Sequence, residues 1–402
     1  MKPLSGIRVL DFTWVGAGPF TTKVLSDFGA EVVKVESRKR PDQLRMAEPL
    51  TGSRTIEESG YFANRNPNKK SVSIDLKHPE ARQLVLALAA QSDVVINSFS
   101  RGVMERFGLS YEDVRGVRDD IIYLSMPLGG NHGPYKDYLG YGMNVASLVG
   151  VYSLGGLPDR WPVGTGTNYP DHLPNPLHAA FAILAALNER RRSGQGQEIV
   201  LSQLDSTMAL FADDLLNYAC NGTVATPGYL DDPDVGPHGI YPCLGEDRWC
   251  AISVSGNEQF TAFAKAIGQP ELVHDDRFST IESRRENAAA LDEIIGGWTI
   301  TIEAMEVMTR LQSVGISAGM VQTAKDMLTT DVQLRARGFW QYLDHPVMGR
   351  TVYHGVPASF SGMSNRYVSP APLLGQHNDE LPRLANMPAE TIEEYASKGV
   401  LK

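Results

Sequence analysis

The N-terminal third alternates short apolar runs with helix-length segments, and this rhythm constrains the fold more than any other feature. Runs at 7–10, 31–35, 71–76, 93–97 and 121–125 read as strands, those at 7–10 and 93–97 being apolar. Pro19 can open a helix that ends near Gly29, and a second helical run follows Pro79 as far as Gln91. Strands that alternate with helices build a parallel sheet covered on both faces. The expected fold class is therefore α/β.

Further on, a helix is expected over 176–192, with Pro176 in its first turn, three arginines in its last and Gly194 just beyond. A strand at 198–201 and a helix over 203–218 come next. The loop 221–237 is rich in Gly, Pro and Asp and is the best boundary in the chain. Beyond it, a hairpin over 240–254 turns at 245–247, followed by helices at 257–267, 284–295 and 302–314 and a strand at 317–321. The pattern is that of a smaller α+β module. Two strand candidates, 339–343 and 350–353, precede a Pro-rich, weakly patterned tail. The expected organisation is a large domain beginning with 1–205, a linker helix at 206–225, a small domain at 226–325 and a linker at 326–402 returning to the large domain.

Composition narrows the function. The chain carries 37 Lys and Arg against 47 Asp and Glu, a net charge of -10, so no excess of positive charge is available for nucleic acid. No uncharged apolar run approaches the ~18 residues of a membrane span. Three cysteines, Cys220, Cys243 and Cys250, form no CxxC pair, which points to a reducing compartment and away from zinc or a disulfide framework. Arg8 and Asp11 interrupt what would be a signal-peptide core, so a cytoplasmic location is expected.

Three readings fit the glycine turn after the first strand. Gly16 and Gly18, with Glu36 ending the second strand, suggest a dinucleotide fingerprint, but Thr21 stands where a third glycine or alanine belongs. The turn also reads as ordinary strand-to-helix punctuation, or as a set of N–H groups at a helix N-terminus that bind anions. Basic residues gather in loops beside apolar strands: Arg38, Lys39 and Arg40; Lys69 and Lys70; Arg101 and Arg106. Loops at strand carboxyl ends border the ligand crevice of open α/β sheets, although charge-rich loops are also simply solvated. Asp171 lies in a Gly- and Pro-rich segment abutting the helix expected over 176–192, where it reads as an N-cap or as a carboxylate held near a helix N-terminus. No HExxH or P-loop pattern occurs, and no metal site is expected.

Several separated segments carry a resemblance. They are GIRVLDFTWVGAGPFTTKVLSDFGAEVVKVE, NKKSVSIDLKHPEAR, INSFSRGVMERFGLSYEDV, AILAALNERRRSGQGQEIVLSQLDS and APLLGQHND, in this order. Together they resemble the family III CoA-transferases, the CaiB/BaiF family, from residue 4 to about 380. The resemblance implies a Rossmann-like large domain, a smaller domain and an interlocked homodimer whose long linkers thread two chains through one another. It also implies an enzyme that moves CoA from an acyl-CoA donor to a free carboxylic acid, with the CoA thioester as substrate and no permanently bound cofactor. In the family an aspartate precedes the long helix, and here only Asp171 has that place. The same likeness puts Trp14, Val15, Gly16, Ala17, Arg38, Asn97, Phe99, Arg106, Phe107 and Tyr141 on positions lining the CoA site.

On this reading Asp171 attacks the acyl-CoA carbonyl, and a mixed anhydride and then an aspartyl-CoA thioester form in turn. Oxyanion donors are expected among the N–H groups around Gly16 and Ala17, or around Gly129 and Gly130. Segments 125–134 and 161–169 are expected to shape the acyl pocket. A succinyl-CoA-like donor with a hydrophobic or aromatic acid acceptor fits, and His132 and His172 are candidates to touch a substrate carboxylate. The family often carries NFRPG where this chain reads NSFSRG at 97–102. Two alternatives stand: an α-methylacyl-CoA racemase, although Tyr141 replaces the histidine of its GHDINY-like segment, and a non-catalytic subunit of a heteromer with a paralogous chain.

Overall fold

Six parallel strands lie in the order β3-β2-β1-β4-β5-β6. They are β1 (Arg8–Phe12), β2 (Glu31–Glu36), β3 (Lys70–Ser73), β4 (Val94–Asn97), β5 (Ile122–Ser125) and β6 (Gln197–Val200). The computed structural model describes residues 2–48, 55–156, 159–227 and 234–401. Val9 pairs with Val32 on one side and Val94 on the other, so β1 is central and the winding reverses between β1 and β4. Open α/β sheets bind ligands outside the strand carboxyl ends at such a switch point.

The helices used below are α1 (Ala17–Asp27), α2 (Gly60–Arg65), α3 (Ala81–Ala90), α4 (Gly142–Leu148), α5 (Tyr169–His172), α6 (Pro174–Ser193) and α7 (Ala212–Asn221). Successive strand residues point to opposite faces. Val9, Val32 and Val94 accordingly pack with Ala179 and Ile183 of α6, while Leu10, Val33 and Val95 pack with Leu84 and Leu88 of α3. Gly194 ends α6 in the left-handed conformation that glycine adopts without strain. The helix expected over 203–218 is broken. Gln203–Met208 packs inward through Leu204 and Thr207, a tight turn follows, and α7 has no buried residue at all.

Contacts divide the chain into one unit of residues 1–228 and 335–402 and another of 229–334. The boundary loop read at 221–237 includes 228–233, which lie outside the described residues. The smaller unit has the antiparallel sheet β7 (Val235–Pro242), β8 (Trp249–Ser255) and β9 (Ser317–Met320), with Phe260, Phe263, Ile295 and Leu311 in its core.

The tail contains the hairpin β10 (Trp340–His345) and β11 (Gly349–His354), then a stretch whose order is set by long-range bonds. His377 N–H donates to the Ser71 carbonyl at 2.9 Å, and Ser73 N–H donates to Asn378 Oδ1 at 2.8 Å, so this segment covers the open edge of β3. Helices α8 (Leu381–Ala385) and α9 (Ala389–Ser397) follow, unpredicted by the weak sequence pattern. They exist because Leu381, Leu384, Ile392 and Tyr395 are buried in the α3 core.

Candidate active site

Between β1 and α1 the chain makes a loop held from beneath. Asp11 accepts from the Thr13 N–H at 2.8 Å and from the Thr22 hydroxyl at 2.6 Å. Lys34 Nζ, fully buried, donates to the Thr13 carbonyl at 2.6 Å and pairs with Asp42 at 3.0 Å. Asp42 in turn accepts from the Val15 N–H at 3.0 Å. Val15 has φ +62°, a left-handed conformation that a β-branched residue adopts only where its surroundings over-determine it. The buried Lys34–Asp42 pair supplies that constraint.

Asp171 sits on α5, a helix of four residues packed among α1, α4 and α6. Its carboxylate lies against two glycines. A Cβ on Gly142 would stand 2.7 Å from Oδ2, and one on Gly16 would collide with the carboxylate. The Gly142 N–H donates to it. Asp171 is 4% exposed. Burial pushes its pKa up to about 6, against the smaller opposing pull of the Gly142 N–H and the Arg65 charge. It is thus a carboxylate still ionised at neutral pH but more basic than an ordinary one.

Beside it, His172 Nε2 meets the Tyr61 hydroxyl at 3.0 Å and Nδ1 meets the Thr167 hydroxyl at 2.9 Å. Burial, with the Arg65 charge, lowers its pKa to about 4, so the ring is neutral at pH 7. Tyr61 and Arg65 are four apart on α2 and share a face. The Arg65 guanidinium lies 4.4 Å from the Phe20 ring centre and 5.4 Å from that of Tyr61. The reading of the sequence missed Gly142, Tyr61 and Arg65. The only local signal for α2 is Ser59, whose side chain caps it by accepting from Phe62 N–H at 3.2 Å.

The remaining expected positions line the carboxyl ends of the strands or flank them. Trp14 meets Phe99 edge to face at 5.5 Å, and the Arg40 guanidinium is 5.2 Å from the Trp14 ring centre. Trp14 N–H donates to Ser98 at 3.0 Å. Asn97 ends β4 and donates to Ser125 at 3.0 Å. Tyr141, half exposed, precedes Gly142 and donates to Gln43 at 3.0 Å. Ala17 starts α1, and Arg38, exposed beyond β2, donates to the Leu374 carbonyl at 3.1 Å. Arg106 is exposed at the end of a helical turn and Phe107 packs against the core. Phe99, Arg101, Leu128, Lys136 and Tyr138 line a recess of about 260 Å³.

Some expectations change. Glu36, the acid of the dinucleotide reading, is gripped by Arg45 through two bonds of 2.9 Å and is fully buried, so it has no edge left for a ribose. Lys69 and Lys70 are not ligand-facing cations: Lys69 is buried on Asp11 at 3.5 Å and Lys70 pairs with Glu31 at 3.2 Å. Gly129 abuts the Tyr135 backbone and Gly130 abuts Ser202, not Asp171.

A model of the family described as CoA-transferase family III matches residues 4–378. The chain belongs to this family. It is 34% identical to the succinyl-CoA–D-citramalate CoA-transferase of Chloroflexus aurantiacus over 94% of this chain and 93% of that one. It is 32% identical to the succinate–glutarate CoA-transferase of Agrobacterium fabrum, covering 98% of each. Among solved structures, a CaiB/BaiF family protein of Brucella suis superposes with a TM-score of 0.87 at 29% identity, over 96% of this chain and 99% of that one. The relatives and the family together support CoA transfer as the activity of this enzyme.

Proposed function

We propose that Asp171 is the nucleophile of a CoA transfer between carboxylic acids. Its oxygen attacks the thioester carbonyl of an acyl-CoA; the C–S bond breaks, CoA thiolate leaves and an aspartyl mixed anhydride remains. The thiolate attacks the aspartyl carbonyl, the donor acid departs as carboxylate and an aspartyl-CoA thioester is left. The acceptor carboxylate then attacks this thioester, and the same steps in reverse release acceptor-CoA and free Asp171. Charges balance at each stage, so no general base is needed. When the aspartyl carbonyl is itself attacked, negative charge develops on the oxygen beside Gly142, whose N–H is worth ~3 kcal/mol as an oxyanion donor.

One observation carries this reading: a buried carboxylate pressed between two glycine backbones at the switch point of the sheet. Only glycines let backbone N–H groups approach so closely. Trp14, Val15, Gly16, Ala17, Arg38, Asn97, Phe99, Arg106, Phe107 and Tyr141 are the proposed CoA contacts. A succinyl-CoA-like donor accords with the names of the relatives. Incubation with succinyl-CoA followed by hydroxylamine should place a hydroxamate on the Asp171 peptide by mass spectrometry, and Asp171→Ala should abolish it. Label on another residue, or undiminished transfer by the variant, would overturn the assignment.

We also propose an interlocked homodimer. The exposed apolar residues Leu177, Phe181 and Leu184 of α6, and Leu215, Leu216 and Tyr218 of α7, form faces that a second chain would cover. The three free cysteines suit the cytoplasm. Among the described residues no helix is long and apolar enough to cross a membrane.

A further inference from the structure

Six Lys and Arg side chains are buried among the described residues: Lys23, Lys34, Arg45, Arg65, Lys69 and Arg284. Four of them hold a carboxylate. Lys23 pairs with Asp27 at 2.7 Å, Lys34 with Asp42 at 3.0 Å, Arg45 with Glu36 at 2.9 Å and Lys69 with Asp11 at 3.5 Å. Arg284 meets no acid but donates to the Gly236 and Phe278 carbonyls and to Asn257, each at 2.9 Å.

Arg65 differs from all five. Its side chain donates to its own neighbour Asn64 at 3.0 Å and lies beside the Tyr61 hydroxyl, while Nε is buried without a hydrogen-bond partner. A buried cation left unsatisfied is costly, and native structures complete such groups with an anion or with acceptors. The guanidinium carbon lies 4.4 Å from the Phe20 ring centre and 5.4 Å from that of Tyr61, and the buried Nε is the donor left for an acceptor. Its charge acts on Asp171 and His172, yet no ion pair within 4.0 Å joins it to Asp171. The cation therefore stands near enough to Asp171 for its charge to be felt there, but offset from it.

We infer that Arg65 receives the distal carboxylate of a dicarboxylic acyl group, which makes the enzyme a CoA-transferase of dicarboxylates. This rests on Asp171 as the acylated residue. The offset suits a diacid whose near carboxyl is joined to Asp171 while the far one reaches the guanidinium edge. A monocarboxylate of equal length would leave Arg65 unpaired. The hydrophobic or aromatic acceptor expected from the sequence is replaced here by a second diacid, since on this reading both partners are joined in turn to Asp171.

The test compares matched pairs: succinyl-CoA against butyryl-CoA as donor, and glutarate against valerate as acceptor. A charge-assisted hydrogen bond sets a discrimination of about 10- to 100-fold in kcat/KM for the diacid. Arg65→Gln should abolish that discrimination by lowering the diacid rates about 10- to 100-fold further than the monoacid rates, and Arg65→Lys should recover part of it. Circular dichroism and hydroxylamine labelling of Asp171 by butyryl-CoA establish that the variants are folded and competent. Equal use of both members of each pair by the wild type, or a uniform loss with Arg65→Gln, overturns the role of Arg65 while labelled Asp171 keeps its own. Absence of label from every acyl-CoA removes the nucleophile and this inference together.

Discussion

At the scale of single residues, the burial of Asp171 comes at the expense of stability. Burial raises its folded pKa from 3.8 to about 6, so the folded state favours the protonated acid. The resulting stabilisation is complete below the unfolded pKa and is lost as pH rises through about 6. At pH 8 the ionised side chain thus costs about 3 kcal/mol, a shift of one unit being worth ~1.4 kcal/mol. Asp171→Asn should raise the melting temperature at pH 8 and leave it unchanged near pH 4. In the wild type, kcat/KM should climb with pH through about 6 and level off above 7, because the proposed attack needs the carboxylate. A variant no more stable than wild type at pH 8, or full activity at pH 5, would contradict the burial argument.

At the scale of elements, the loop between β1 and α1 owes its shape to charges that its own sequence does not contain. Lys34 comes from β2 and Asp42 from the segment after it, and together they fix the Thr13 carbonyl and the Val15 N–H. Removing one member of a buried pair leaves the other uncompensated, at a cost of roughly 3–5 kcal/mol. Asp42→Ala should therefore lower the unfolding free energy measured in urea by this order and release Val15 from its left-handed conformation, with loss of transfer activity even where the protein remains folded. A change below about 1 kcal/mol would mean that the loop holds itself. The same remoteness explains α2, whose side chains Tyr61 and Arg65 lie far in sequence from the Asp171–His172 pair they stand beside, on an element of six residues. So short a segment carries almost no periodicity to read.

At the scale of the whole molecule, α7 is amphipathic in sequence yet buries nothing within its own chain. An apolar face left unpartnered favours association. Light scattering should give twice the mass of one chain, and the pair Phe181→Glu with Leu216→Glu should shift the protein toward monomer or aggregate. A wild type that remains a monomer at micromolar concentration would dispose of the interlocked arrangement. The returning segment is the other whole-chain feature. Its bonds to Ser71 and Ser73 seal the edge of β3 with residues more than 300 positions away.

The sequence alone determined the elements whose apolar period is long or continuous: β1, β2, β4 and β5, the helix α6 and, in the smaller unit, the helices expected at 257–267 and 302–314, whereas the one expected over 284–295 is broken at Asn287. Burial on both faces selects such runs locally, so they can be read without their partners. It also singled out Asp171, through the family resemblance more than through its neighbours. Only the tertiary structure decided which charges face ligand and which face one another. Lys69 and Glu36 were open to a ligand-facing reading in the chain and proved to be buried structure, whereas Arg65 and Gly142 carried no mark and came to the side of Asp171. The reason is physical: ion pairing and close backbone approach are properties of distance, and distance between remote residues exists only once the chain has folded.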